Sequence, residues 1–249
     1  MDAENDRRLD HPLPPALPAL RADGYEATYL MLASLFIASL VACNLIFQKF
    51  FVVAIPLPGG GEYRFIQSVG ILAYPLTFLV TDILSEVYGA KRANLVVAAG
   101  LVASLFTAGL IELADASHAA PFGTDQATFH AVFGLSKVAV FASMVAYLSA
   151  QYIDIRLFHF WRRLTKGKHL WLRNNASTMT SQTIDTFMVL AVLASFGAAG
   201  ITWAALPALF VNGVLFKWLF ALADTPLFYL AVGILRKRFP EQCALLDER

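Results

Sequence analysis

The chain has 249 residues, 58% of them hydrophobic and 15% charged, with a mean hydropathy of +0.60. Soluble domains run at about 45–50% apolar and about 25% charged, so this balance excludes an ordinary soluble fold and points to a membrane protein. A net charge of +1 excludes a strongly basic nucleic-acid binder, and two cysteines, Cys43 and Cys243, are too few and too unlike in setting for a disulfide framework or a paired-cysteine metal site.

Residues 1–27 are polar and Pro-rich, with the run from His11 to Pro18 at their centre. Such a segment cannot bury a core and is expected to be a flexible arm. It is too long for the charged head of a signal peptide, and the apolar run after it is too long for a cleavable one. From Thr28 onward the chain is apolar in long blocks. A helix needs about 20 residues to cross about 30 Å of hydrocarbon. The blocks 28–53, 66–87, 93–113, 128–155, 176–198 and 206–235 all meet that length. The expected fold is therefore an all-α integral membrane protein with six transmembrane helices. Residues 28–237 form its membrane domain and 238–249 a short tail. Gly59-Gly60-Gly61 has neither the lysine nor the hydroxyl of a phosphate loop and is expected to be a turn.

The basic residues set the orientation. With a cytoplasmic N-terminus, the inner segments hold fifteen of the 19 basic residues, in groups around Arg7, Lys91, Arg162 and Lys237. The outer loops hold Arg64 alone, while Lys49, Lys137 and Lys217 lie within spans or at their ends. Both termini are expected in the cytoplasm. Tyr152, Trp161 and Trp171, beside the basic loop, suit interfacial anchors.

A charge in mid-span costs roughly 2.5–3.5 kcal/mol and therefore faces a cavity or a partner. In the second span Thr77, Thr81 and Ser85 recur every fourth residue beside Asp82 and Glu86, forming one broad polar face. In the fifth, Thr178, Ser181, Gln182 and Asp185 follow a single helical stripe. The sixth carries Asn212, Lys217 and Asp224; the first carries Asn44 and Gln48 near its outer end. Hydroxyls in spans often bond back to their own helix and carry little signal alone. Lys217 lies too deep to snorkel and needs a carboxylate, with Asp82, Asp185 and Asp224 at comparable depth. Glu86, Gln151 and Asp154 lie near the inner ends, where Lys91, Arg92 or Arg156 are candidate partners. Pro75 and Pro226 stand beside these stripes, where a freed backbone carbonyl can serve a transport site.

Ser39-Leu40-Val41-Ala42 and Ser143-Met144-Val145-Ala146 precede Asp82 and Asp185 at nearly equal distances, which suggests a pseudo-repeat of three spans plus three. The chain shows no HExxH, GxSxG, phosphate loop or His/Cys cluster with metal spacing. No enzymatic activity, cofactor or metal is expected.

The run from Tyr74 to Gly89 (YPLTFLVTDILSEVYG), followed by Lys91-Arg92-Ala93, closely resembles the signature of the queuosine precursor transporters, part of the vitamin uptake transporter group. Ala150 to Asp154, Asn175 to Thr178, Ser181 to Thr186, and Lys217 with Asp224-Thr225-Pro226 extend the resemblance over about residues 28–237. The resemblance implies uptake of 7-deazapurines, such as 7-cyano-7-deazaguanine, across a bacterial inner membrane. The implied partners are that small molecule and the lipid bilayer, without nucleic acid. The coupling ion and any homo-oligomer stay open. A guanine-like ligand has N–H donors at N1 and the exocyclic amine, and an acceptor at O6. Asp82, Asp185 or Asp224 can accept from the donor edge, Gln182 or Lys217 can donate to O6, and Tyr74 can stack on the ring. Glu86, Asn44 and Gln48 complete the candidate substrate-binding set. Two other readings stay open: uptake of another vitamin-like ligand, alone or as the binding subunit of a larger complex, and an intramembrane enzyme. The enzyme would need a nucleophile–base or metal constellation that the spans lack.

Overall fold

The computed structural model describes residues 24–164 and 170–247. The arm at 1–23, the basic side chains at 162–173 and Arg249 lie outside the described residues, as do the side chains of Gln151, Tyr152, Asp154, Trp161, Trp171 and Thr178.

Helices dominate. In chain order they are α1 (Gly24–Ile46), α2 (Tyr74–Tyr88), α3 (Ala90–Ala116), α4 (Gln126–Phe133), α5 (Ser136–Leu164), α6 (Leu170–Ser195), α7 (Leu206–Arg238) and α8 (Pro240–Asp247). Among the described residues five segments are long and apolar enough to cross a membrane: α1, the stretch Val69–Tyr88, α3, the stretch Gln126–Tyr147 and α7. Helix α6 has 26 residues, but polar residues crowd its sequence from Arg173 to Asp185, which makes it too polar to join them. The apolar excess faces outward. Leu95, Val102, Phe106 and Leu113 on α3 and Leu215, Leu219, Leu230 and Ile234 on α7 are all exposed, a surface that suits hydrocarbon and not water.

Two block boundaries differ from expectation. Helix α1 stops at Ile46, and the remainder of its block enters an antiparallel hairpin, β1 (Phe50–Pro56) with β2 (Glu62–Ser68). Val52, Val53 and Ile55 favour a strand, and Gly59, Gly60 and Gly61 all turn with positive φ, at 105°, 89° and 115°. The fourth block divides into α4 and α5. Asp125 starts α4 by accepting from the Thr128 backbone N–H at 3.0 Å and the Thr128 hydroxyl at 2.6 Å.

The prolines also differ. Pro75 lies in the first turn of α2, where its missing N–H costs nothing, after a 3-10 turn over Val69–Ala73. Pro226 lies inside α7, which runs on through it to Arg238. Neither proline breaks a helix into separate halves.

The hairpin is clamped to α7 by Asn212, which is 2% exposed. Its amide accepts from the Tyr63 hydroxyl and donates to the Ile66 carbonyl at 3.1 Å. At the opposite end of the bundle Tyr25 donates to the Val87 carbonyl at 2.8 Å, and Tyr88 donates to the Tyr25 carbonyl at 3.0 Å. The first bond satisfies a carbonyl that the end of α2 would leave orphaned. Gly89, at φ 85°, then lets α3 begin at once.

Among the described residues two apolar clusters form the core. One joins α1, α2, α3 and α7 through Phe36, Val80, Leu84, Val87 and Val96; the other joins α5, α6 and the start of α7 through Ala142, Leu190, Leu193 and Leu209. Gly70 lets the 3-10 turn lie against α1. A Cβ there would stand 2.8 Å from the Cys43 carbonyl oxygen and 3.2 Å from Phe47 Cα, both of them backbone atoms. Gly70→Ala should therefore destabilise the protein by about 1–3 kcal/mol, seen as a lower thermal midpoint in detergent. An unchanged midpoint would mean that α1 and this turn can part freely.

Candidate functional site

Helices α2 and α6 bring their polar stripes to a common space. A cavity of about 100 Å³ is lined by Phe36 and Leu40 of α1, by α2 from Tyr74 to Ser85, by Ala93, Asn94 and Val97 of α3, and by Tyr147 and Ala150 of α5; Ser181, Gln182 and Asp185 of α6 complete it. Ser85 and Asn94 are exposed, Asp82 is half-buried, and Gln182 and Asp185 are buried. The cavity thus opens at the α2–α3 corner and deepens toward the hairpin end.

Its deep end is a charged knot. The Lys217 ammonium donates to Asp185 Oδ2 at 2.6 Å, and the Tyr74 hydroxyl donates to the same oxygen at 2.6 Å. The ammonium also stands 4.0 Å from the centre of the Tyr74 ring. The Lys217 and Asp185 side chains are 8% and 3% exposed, so neither charge has water as its main solvent. Pairing, a second donor and the ring face together offset a desolvation that neither ion could bear alone. Sequence depth left three aspartates as partners for Lys217; the packing selects Asp185.

The hydroxyls of the α2 stripe are largely occupied. Thr77 donates to the Tyr74 carbonyl at 2.7 Å, and Thr81 to the Thr77 and Phe78 carbonyls at 3.0 Å. As expected of span hydroxyls, these bond back to their own helix. What they offer a ligand is acceptor lone pairs.

Of the candidate residues, Tyr74, Asp82, Gln182 and Asp185 line this one cavity, and Lys217 reaches it through Asp185. The others lie outside its lining. Glu86 accepts from Arg236 at 2.7 Å and not from Lys91, Arg92 or Arg156; Arg92 is engaged instead by Glu26 at 2.7 Å. Asn44 accepts from the Ser143 hydroxyl at 2.6 Å and ties α1 to α5, while Gln48 donates to the Val132 carbonyl at 2.8 Å. Asp224 is half-buried further along α7. Asn94 and Tyr147 were not foreseen as lining residues. Asn94 is a lone amide in an otherwise apolar run after Lys91-Arg92, and Tyr147 continues a four-residue spacing with Ser143 and Gln151. Both signals were available. Among the described residues no group of three His, Cys, Asp or Glu side chains could hold a metal ion.

The lipid-suited exterior of this helical bundle is that of a multi-pass membrane protein, and its interior holds a polar cavity that ends in a buried ion pair. Comparison with known proteins is consistent with that class. Residues 68–231 match the family model described as "Putative vitamin uptake transporter", and the chain belongs to that family. Three relatives share a narrower name. A Bacillus subtilis protein, "Probable queuosine precursor transporter", is 27% identical over 66% of this chain and 71% of its own length. A Haemophilus influenzae protein of the same name is 25% identical over 55% of each chain. The Escherichia coli "Queuosine precursor transporter" is 29% identical over 47% of this chain and 50% of its own. No solved structure matches the chain.

Proposed function

We propose that this protein takes up 7-deazapurine precursors of queuosine, such as 7-cyano-7-deazaguanine, through the cavity between α2 and α6. The observation that carries this reading is the meeting of Asp82 and Gln182, beside aromatic side chains, in a cavity lined largely by the matched region. The names of the three relatives supply the ligand class. Carboxylate and amide oxygens suit the N–H edge of a guanine-like ring, and Tyr74, Phe78 and Tyr147 suit its faces. No cofactor, metal or catalysis is part of the proposal.

The proposal extends to the setting. The chain crosses a bacterial inner membrane six times, with α6 as the fifth crossing in chain order, and both termini face the cytoplasm. Helix α6 turns its polar stripe to the cavity and thereby avoids lipid, which supports counting it as a span despite its polarity. The two halves are related by a three-plus-three repeat. In this arrangement the cavity mouth at Ser85 and Asn94, next to Lys91 and Arg92, faces inward.

The direct test is uptake of radiolabelled 7-cyano-7-deazaguanine by cells that cannot synthesise it. Cells carrying the gene should accumulate label and cells without it should not; equal uptake overturns the assignment. A reporter fused after Arg249 should be active only in its cytoplasmic form, and periplasmic activity would reverse the topology.

A further inference from the structure

At the cavity mouth Ser85 and Asn94 are exposed, whereas buried polar side chains follow one another beyond its deep end. After the Tyr74–Asp185–Lys217 knot come Thr186, next to Asp185 on α6, and Gly213, one turn before Lys217 on α7. Both meet Gln67 of β2. A Cβ on Gly213 would stand 2.9 Å from Thr186 Cγ2 and 3.1 Å from Gln67 Nε2. Asn212 comes next, bonded to the Tyr63 hydroxyl and the Ile66 carbonyl of the same strand. Gln67, Thr186 and Asn212 are all buried. The base of the hairpin therefore fills the space between α6 and α7 on the side away from the mouth.

The rest of the hairpin is lightly held. Strand β1 pairs with β2 alone and is exposed from Val52 to Pro56. A two-stranded hairpin is marginal by itself, so its order depends on what β2 gains from α7. Its two legs join the body at one junction, where the Val69 N–H donates to the Lys49 carbonyl at 2.7 Å.

We propose that this hairpin is the gate on the side opposite the Ser85–Asn94 mouth, latched by Asn212, seated on Gly213 and shut in this structure. Uptake then requires β2 to leave α7 by swinging about the Lys49–Val69 junction. The inference rests on the reading of the cavity as the transport route. Energetics favour the hairpin as the moving part. When it lifts, water takes up the bonds of Tyr63, Ile66 and Asn212, so little is lost. Parting α6 from α7 would instead expose the cluster of Leu190, Leu193 and Leu209. Elements with few buried apolar contacts open first.

The test uses a background in which Cys43 and Cys243 are replaced by serine. Tyr63→Cys/Asn212→Cys is joined by a short, reducible bifunctional thiosulfonate, which ties β2 to α7. Joining should abolish uptake of 7-cyano-7-deazaguanine, and reduction should restore it. The same treatment of Ala54→Cys/Arg64→Cys, which face each other within the hairpin, should leave uptake unchanged. A second readout needs no ligand. Ser85→Cys is labelled with a membrane-impermeant maleimide in right-side-out and in inverted vesicles. From the hairpin side, joining should stop the labelling. Gly213→Ala, whose Cβ wedges Gln67 away while favouring the helix, should speed it several-fold. From the mouth side neither change should matter. A reversed topology exchanges the roles of the two preparations and leaves the comparison intact. A joined protein that transports like its reduced form would overturn the gate. So would hairpin-side labelling that neither joining nor Gly213→Ala alters. Should Tyr63→Cys/Asn212→Cys be inactive before joining, the labelling of Gly213→Ala decides. A wild type that takes up no 7-deazapurine would overturn the substrate reading instead, and the labelling alone would then decide for or against the gate.

Discussion

Lys217→Met should abolish uptake and lower stability by about 3–5 kcal/mol, the usual cost of stranding one partner of a buried ion pair. The substitution leaves the Asp185 carboxylate, 3% exposed, with only the Tyr74 hydroxyl as donor. Exposure decides the magnitude. In the Arg92–Glu26 pair the side chains are 44% and 42% exposed, and water can replace either partner. Such pairs are worth about 0–1 kcal/mol, so Arg92→Met serves as the near-neutral control. The double variant Lys217→Met/Asp185→Asn removes both charges and should recover most of the lost stability, with transport still absent. Thermal midpoints in detergent check the stability series, and uptake checks the function. A Lys217→Met protein as stable as wild type would show that Asp185 finds another donor.

Asp82→Asn should reduce uptake roughly 10- to 100-fold while insertion and folding persist. Asp82 is half-buried on the cavity wall between the exposed mouth and the Tyr74–Asp185–Lys217 knot. A hydrogen bond to a charged acceptor is worth about 1.5–3 kcal/mol, which corresponds to that range of uptake efficiency. The change keeps the side-chain shape and removes a charge that costs roughly 2.5–3.5 kcal/mol in mid-span, so insertion should be no worse. Quantification of the variant in membranes, beside its uptake rate, separates the two effects. Near-normal uptake would remove Asp82 from the ligand's path.

Much of this arrangement is legible from residue spacing, because a polar side chain in a span must turn from lipid wherever it sits. The α2 and α6 stripes show this directly: their spacing shows one face each, and in the structure those faces meet. The partner of Lys217 was narrowed by depth to three aspartates, but depth says nothing of helix rotation, which decides among them. Glu86 shows the same limit. Its partner Arg236 lies 150 residues away, and the nearer basic residues Lys91 and Arg92 were the natural guess. Asn44 and Gln48 are polar groups in a span whose needs are met by Ser143 and Val132, neighbours that only packing brings close. The hairpin was hidden for another reason. Apolar content measures fitness for lipid and not secondary structure, so Phe47 to Val53 reads as a continuation of α1, although its β-branched residues and the triple glycine beyond them favour a hairpin.

The central claim is that a 7-deazapurine passes through the cavity between α2 and α6. The most direct measurement places the purified protein alone in sealed lipid vesicles and follows entry of radiolabelled 7-cyano-7-deazaguanine, in wild type and in Asp82→Asn. Saturable entry into wild-type vesicles, blocked by excess unlabelled ligand and strongly reduced in Asp82→Asn, is the expected result. Wild-type vesicles that admit no more label than protein-free ones, across the tested ion gradients, would contradict it.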